Sequence, residues 1–364
     1  MRALIIHYNQ PERKAIDNAR FAQMASALQK AGIETKVCPV NSMEQLNALL
    51  NNESPEIVYC ADHHLPGKNA LPVNVHAHLD RLGFPYIGSG PETLELVLSK
   101  SSLKTRWQQN GVITPGYFLV QKETAGINKV EQLIKADHFP YILKPNLEGN
   151  SRGLDSNSIV FDRESLISRL DEILQRFPEV LVEEFLGGAP DIREYTVAMI
   201  GNGTDRLLMP ARITLKQKKA LRVITTQDKD NHNTQAEPVI EPELNRRLQE
   251  FSSHAFDAAG VRDYARCDIL MTEDRLFALE INGQPMIPDR WFEMAASGVG
   301  LNSEQYIAAI FLAGIQRYIR QGKAHLSLPD KMESFLPQEI FNKLTEDQLE
   351  FSQGISLINL TGQS

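Results

Sequence analysis

Residues 263–285 read DYARCDILMTEDRLFALEINGQP, two apolar runs on either side of a short polar turn, which is the pattern of a β-hairpin. Side chains two apart on a strand share a face, so Arg266 points the same way as Asp268, and Glu280 the same way as Asn282. A loop of three residues, Glu273 to Arg275, sets Asp268 opposite Glu280 and Arg266 opposite Asn282. Like charges in that relation cost a few tenths to about 1 kcal/mol. The face is therefore either a solvated one carrying unrelated charges or one that gathers a cation. Asp, Glu and Asn supply hard oxygen ligands of the kind that hold Mg²⁺ against phosphates.

The chain around this hairpin has 364 residues, too many for one ordinary core, and two or three domains are expected. It is 42% hydrophobic and 23% charged with a net charge of −8, the balance of a globular protein whose surface does not suit nucleic acid broadly. A small-molecule partner is the expectation. Cys38, Cys60 and Cys267 are odd in number and far apart, which supports neither a disulfide framework nor a thiolate metal site. Cys267, between Arg266 and Asp268, should face the core. The chain starts directly on a strand, MRALIIHY, and its greasiest stretch, YIAAIFLAGI at 306–315, is too short to span a bilayer. No membrane role and a cytoplasmic location are expected, and the chain is compatible with a homodimer.

Short apolar strands alternate with helices through the first 92 residues: a strand at 2–8, a helix to about Lys30 stopped by Gly32, the strand IETKVCPV, a helix from Ser42 to Leu50, and the strand EIVYC. That order predicts an α/β fold with a parallel sheet whose ligands gather at the strand carboxyl ends. His63 and His64 follow one such end and either contact substrate or are simply solvated. Pro72 is expected to start the next helix, leading to the strand and glycine turn GFPYIGSG at 83–90. A single helix is expected from Pro91 to Gly111.

Beyond it lie the strand GYFLV, a helix near 127–136, and the strand PYILK ending at Lys144, with the glycine loop PNLEGNSRG directly after. A lysine closing an apolar strand before glycines that let backbone N–H groups approach is suited to clamping phosphate, though a β-turn hinge has the same look. In VLVEEFLGG an apolar strand runs out through Glu183, Glu184, Phe185 and Leu186. Backbone groups beside carboxylates can hold a flat heteroaromatic ring and its exocyclic amine, and Glu194 in REYTVAMI can reach a sugar. The polar segment 212–237 is either a basic lid or an idle solvated loop. An amphipathic helix at 303–319 precedes the tail from 321 to 364, which either packs on the body, pairs with another subunit or frays.

Taken in order, SKSSLK with Lys100, LKPNLEGNSRG, LVEEFLGG with Glu194 beyond, GVRDYARCDI and LEINGQP resemble the ATP-grasp enzymes, and most closely the D-alanine:D-alanine ligase group, from the first strand to about residue 320. The resemblance implies three α/β units with ATP held between two sheets: an N-terminal unit at 1–92, a central one at 93–182 and a C-terminal one at 183–320, with a C-terminal extension at 321–364. It also implies ATP and Mg²⁺, two ions, as cofactors. Lys100 and Lys144 then neutralise phosphates under a closing loop of Glu148, Gly149, Asn150, Ser151 and Gly153, with Ser151 counted among the catalytic residues. Glu183 accepts from the adenine amine, Glu184 lies beside it, Phe185 and Leu186 give backbone contacts, and Glu194 holds the ribose. Asp268, Glu280 and Asn282 bind the metal, Arg266 stabilises the oxyanion, and Lys229 is the lid cation.

The implied activity is carboxylate activation through an acylphosphate, followed by amide formation with release of ADP and phosphate. A small-molecule kinase and a nucleotide-binding regulator without turnover are the alternatives; a kinase has no tetrahedral oxyanion for Arg266, and the complete set of Asp268, Glu280 and Asn282 speaks against a regulator. The substrate pockets depart from the family pattern. The SAEHEVS segment is NQPERKAIDN here, the HGxxGEDG loop is HHLPGKN, and the NxxPGM ending is NGQPMIPDRWF. His63, His64, Gln284, Met286 and Arg290 are the expected substrate contacts, Arg290 as a carboxylate fork or a plain surface charge. Substrates other than two D-alanines are expected, with the cell-wall ligase proper as the alternative.

Overall fold

The computed structural model describes the chain except for residues 9–13, 68–71, 124–132, 134–138, 150–152, 190, 217–232, 324 and 347–364. Strand β1 (Arg2–Tyr8) is central in a three-stranded parallel sheet of order β2-β1-β3. Helix α1 (Lys14–Lys30) packs beside it and ends at Gly32, whose φ of +86° suits a residue without a Cβ. Strand β2 (Glu34–Val40) follows, then α2 (Met43–Glu53), whose Ser42 cap accepts from Gln45 N, and then β3 (Ile57–Cys60).

The next segment corrects the expectation of a helix at Pro72. Strands β4 (His64–Pro66) and β5 (Pro72–Asn74) form a small antiparallel pair, with Pro66 opposite Pro72. Prolines lack the N–H a ladder uses, so such an edge ends where they meet. Helix α3 (Val75–Leu82) starts only after Asn74, whose side chain accepts from Ala77 N. The expected strand at 83–90 is reduced to one bridge, Tyr86 to Val58. The single helix expected after Pro91 is two, α4 (Pro91–Leu98) and α5 (Lys100–Gln109), broken where extended Ser99 caps the second by accepting from Ser102 N.

Strands β6 (Tyr117–Gln121), β7 (Tyr141–Pro145) and β8 (Ile159–Val160), helix α6 (Arg163–Leu174) and strand β9 (Glu179–Glu184) build a four-stranded antiparallel sheet of order β6-β9-β7-β8, with Leu166 and Leu170 of α6 packed on Leu143 and Val182. Strands β10 (Arg193–Ile200), β11 (Leu207–Leu215) and β12 (Thr234–Pro238), helix α7 (Pro242–Ala259), and strands β13 (Tyr264–Thr272) and β14 (Arg275–Asn282) form a five-stranded antiparallel sheet of order β12-β11-β10-β13-β14. Its core takes in Val97, Leu103 and Trp107 from α4 and α5, and Cys267 faces into it, wholly buried.

Helix α8 (Arg290–Ser297) and helix α9 (Ser303–Arg320) complete the body. Helix α9 is more than amphipathic, because every residue from Tyr306 to Tyr318 is buried. One face meets Phe21, Met24 and Leu28 of α1, and the same cluster holds Ala198 and Met209 of the five-stranded sheet. At roughly 1.5–3 kcal/mol for each large apolar side chain, this helix is the main joint between the N-terminal layer and the rest. Helices α10 (Met332–Phe335) and α11 (Gln338–Thr345) close over it through Met332, Leu336, Ile340 and Leu344, so the described part of the tail packs on the body.

A buried polar knot fixes the start of the hairpin. Asp263, at φ +63°, accepts from Arg317 Nε and Nη2 at 2.8 Å each and from Gly88 N at 2.8 Å, while Arg317 also donates to the Tyr86 carbonyl at 3.0 Å. Arg262 donates to the Gly88 carbonyl at 3.0 Å and the Tyr86 hydroxyl at 2.8 Å. Burial pushes the Asp263 carboxyl up, but Arg317 and the Gly88 N–H outweigh it and keep it below its ordinary value.

Candidate active site

The hairpin reaches the expected register by a different route. Its loop is two residues, Glu273 and Asp274, both left-handed at φ 48° and 59°, which suits a tight hairpin turn. Asp191 holds that turn, accepting from Thr272 Oγ1 at 3.0 Å and Glu273 N at 2.7 Å. A two-residue loop alone would bring Asp268 opposite Leu279. A bulge between Asp268 and Ile269 leaves Leu279 as an extra residue on β14 and restores Asp268 opposite Glu280 and Arg266 opposite Asn282. Bulges of this kind re-aim side chains, and here the bulge turns two carboxylates and an amide onto one face.

Arg266 lies across that face. It is buried, its Nη1 donates to Asp289 Oδ1 at 2.9 Å, its Nε lies 3.4 Å from Asp268 Oδ1, and its guanidinium stacks 4.9 Å from the Trp291 ring centroid. Burial disfavours the charge, but Asp268, Asp289 and Glu280 overcome it and raise the pKa above the ordinary arginine value. Asp268 Oδ1 also accepts from Thr196 Oγ1 at 2.7 Å, and Asp289 caps α8 through Phe292 N at 2.8 Å. The arginine is therefore a fixed cation beside the acids.

Three lysines lie near Glu183 and the hairpin: Lys144 on β7 of the four-stranded sheet, and Lys100 and Lys104 on helix α5. The Lys144 ammonium is 2.5 Å from Glu183 Oε1, and the Lys104 ammonium is 2.7 Å from Glu183 Oε2. Lys104 also donates to Thr114 Oγ1 at 2.5 Å, and Thr114 donates to the Ala278 carbonyl of β14 at 2.8 Å. Burial would raise the Glu183 carboxyl, yet Lys104 and then Lys144 hold it below its ordinary value; burial also lowers Lys104 itself. Removing water from a lone carboxylate costs several kcal/mol, so the pairing is what keeps Glu183 ionised. Lys100 donates to the Glu148 carbonyl. Its pKa is lowered by burial, with Glu280 the largest charge opposing that.

Lys104 and Thr114 were not singled out by motif. Lys104 is one turn after Lys100 on α5, and that i,i+4 spacing is the signal that brings both ammoniums to one face. Asp289, three residues beyond Met286, was likewise passed over.

The remaining expected residues are placed as follows. Glu184 accepts from Gly116 N at 3.2 Å, Phe185 N donates to the Pro140 carbonyl at 2.9 Å, and the Leu186 carbonyl accepts from Ala189 N at 3.2 Å. Glu194 is half-buried in β10, opposite Leu270 and Ile213. Gly149 is exposed with open space around it, and Gly153 has φ +80° with Pro145 Cγ only 2.7 Å from where a Cβ would stand. Asn282 is exposed at the end of β14. Asn150, Ser151 and Lys229 lie outside the described residues, as does most of the helix expected near 127–136.

Of the residues expected to contact substrate, Gln284 is buried and donates to the Cys60 carbonyl, joining the hairpin exit to the carboxyl end of β3. Met286 Sδ accepts from Arg20 Nη1 of α1 at 2.6 Å. The His63 pKa is pushed down to about 4, by burial first and His64 second, whereas His64 is exposed in β4. Arg290 is exposed at the first position of α8.

Residues 106–311, more than half of the chain, match the family model described as the D-ala D-ala ligase C-terminus. The chain belongs to this family. The D-alanine–D-alanine ligase of Erythrobacter litoralis is 28% identical over 306 residues, covering 81% of this chain and 87% of that protein. The crystal structure of D-alanine–D-alanine ligase from Bacillus anthracis superposes with a TM-score of 0.70 at 21% identity, covering 88% of this chain and all of that one. The same protein complexed with ATP gives 0.68 at 22% identity over the same shares. The fold is thus the ATP-grasp fold.

Proposed function

We propose that the protein is an ATP-dependent ligase that joins a carboxylate to an amine, forming an amide or peptide bond through an acylphosphate and releasing ADP and phosphate. The observation that carries this reading is the convergence, in a member of the family, of a buried Arg266 and the opposed Asp268 and Glu280 with Lys100 and Lys104 of α5 and Lys144 of the four-stranded sheet. A cluster of cations facing acids across a cleft suits a metal-bound polyphosphate.

Among the described residues no three His, Cys, Asp or Glu side chains are grouped as a closed metal site. Two carboxylates and an amide on one face of the hairpin do suit Mg²⁺, which takes one or two carboxylates and completes its shell with phosphate oxygens. Asp268, Glu280 and Asn282 would hold it, and it would supply charge neutralisation at the phosphates. Lys100 and Lys144 are assigned to phosphate oxygens, and Glu183, Glu184, Phe185, Leu186 and Glu194 to the nucleoside. The loop of Glu148, Gly149, Asn150, Ser151 and Gly153, with Lys229 from the lid segment, is assigned to closure, which keeps water from the acylphosphate. Arg266 presents a guanidinium already fixed by Asp289 and Trp291 to the oxyanion that forms on amine attack.

The relatives named above are D-alanine–D-alanine ligases. The departures at residues 9–18, 63–69 and 282–292 support other amino acids or amino-acid-like substrates here, with His63, His64, Gln284, Met286 and Arg290 around them. Part of the same proposal are the division into units at 92, 182 and 320, a homodimer, a cytoplasmic location and no nucleic-acid partner. No helix among the described residues is long and apolar enough to cross a membrane. The test is a matrix of carboxylates and amines, D-alanine with D-alanine included, assayed for ADP release with mass detection of products. ADP that appears only when both substrates are present supports a ligase; ADP from a single hydroxyl-bearing acceptor that leaves phosphorylated indicates a kinase.

A further inference from the structure

The Lys104, Glu183 and Lys144 cluster is asymmetric. One carboxylate meets two ammoniums, at 2.7 Å on Oε2 and 2.5 Å on Oε1. Lys104 is 1% exposed, and Thr114, itself tied to the Ala278 carbonyl, holds its head from the other side. Lys144 keeps 15% side-chain exposure at the end of β7, where the glycine loop leaves the sheet, and among the described residues Glu183 is its one hydrogen-bond partner. A buried carboxylate needs a counter-ion, but one suffices. The second ammonium is surplus to that need and sits where an anion can reach it.

We propose that Lys104 is the permanent counter-ion of Glu183 and Lys144 the exchangeable one, held by Glu183 until a nucleotide's phosphates draw it away. Lys104 is then a positioning residue, acting on phosphate binding through Glu183 while touching no nucleotide itself. With Lys104 in place, Lys144 leaves without stranding a buried charge; without it, Lys144 is bound to stay. The inference rests on the ATP-site reading and goes beyond it in assigning a division of labour among the lysines.

The experiment compares the affinities of ATP and adenosine, measured by calorimetry with Mg²⁺ present on the full-length protein. Their ratio isolates the phosphate-dependent part. In Lys104→Met the ratio should fall at least ten-fold, because Lys144 stays with Glu183. In Lys104→Met/Glu183→Gln it should return to the wild-type value, because the carboxylate that detained Lys144 is gone; a residue needed only for packing predicts no such rescue. Glu183→Gln alone keeps every lysine, and its ratio should equal or exceed that of wild type, which carries the test even where Lys104→Met fails to fold. An unchanged ratio in Lys104→Met, no recovery in the double variant, or a lowered ratio in Glu183→Gln overturns the inference. A wild-type protein that binds neither ATP nor adenosine overturns the ATP-site reading and this inference with it.

Discussion

Lowering the pH from 7 to 5 should cost the folded protein about 2 kcal/mol through His76 alone. His76 of α3 is wholly buried, stacked on Tyr86 with ring centroids 4.5 Å apart, and among the described residues neither ring nitrogen has a hydrogen-bond partner. Burial pushes its pKa down from 6.5 to about 3, with His63, Arg262 and Arg317 acting in the same direction and Asp263 against them. Between those two values the unfolded chain takes up a proton that the folded one refuses, so stability falls as pH falls through this window and is retained in full above it. Each unit below 6.5 costs about 1.4 kcal/mol, which gives the figure at pH 5. With an unfolding entropy of roughly 2.1 cal/mol/K per residue, that corresponds to a Tm lowered by about 3 °C. Melting curves at both pH values for wild type and His76→Phe, which keeps the stack on Tyr86, measure it. The variant should lose about 3 °C less; an equal loss in both proteins would refute the reasoning.

Replacing Glu280 by Gln should cut turnover by about 100-fold or more while the circular dichroism spectrum and Tm stay near wild type, and near-normal activity would remove Glu280 from the metal face. Asp263→Ala strands the Arg317 guanidinium in the knot and should cost about 3–5 kcal/mol in urea unfolding; a loss under about 1 kcal/mol would show that the knot is dispensable. Met286→Ala frees the space beside Arg20 and should change which amines are accepted, as read from product masses. An unaltered acceptor profile would reject the placement of that pocket.

The hairpin shows how sequence and structure divide the work. Alternation of polar and apolar residues fixed which side chains share a face, so the pairing of Asp268 with Glu280 was legible. The means was not: left-handed Glu273 and Asp274 and the extra Leu279 replace the three-residue loop, because turn type and bulge compensate each other within the same pattern. Pro72 misled for a related reason, since proline starts helices and also ends strand edges, and only the Asn74 cap decides between them. Lys104 was invisible as chemistry because a lysine on a helix reads as solvated until the fold buries it against Glu183. Gln284 reads as a substrate contact by its place in the motif, and what the sequence does not show is that its Nε2 donates to the Cys60 carbonyl, a bond between segments far apart in the chain.

The central claim, that a carboxylate is activated by phosphoryl transfer and then captured by an amine, is tested most directly by isotope. A carboxylate substrate labelled with ¹⁸O in its carboxyl group is turned over with ATP and an accepted amine, and the released phosphate is analysed by mass spectrometry. Carboxylate attack on the γ-phosphorus carries one labelled oxygen into the phosphoryl group, and amine attack at the acyl carbon then leaves that oxygen in the phosphate. One ¹⁸O per phosphate, matched by its loss from the amide product, is the predicted result; unlabelled phosphate would contradict the account.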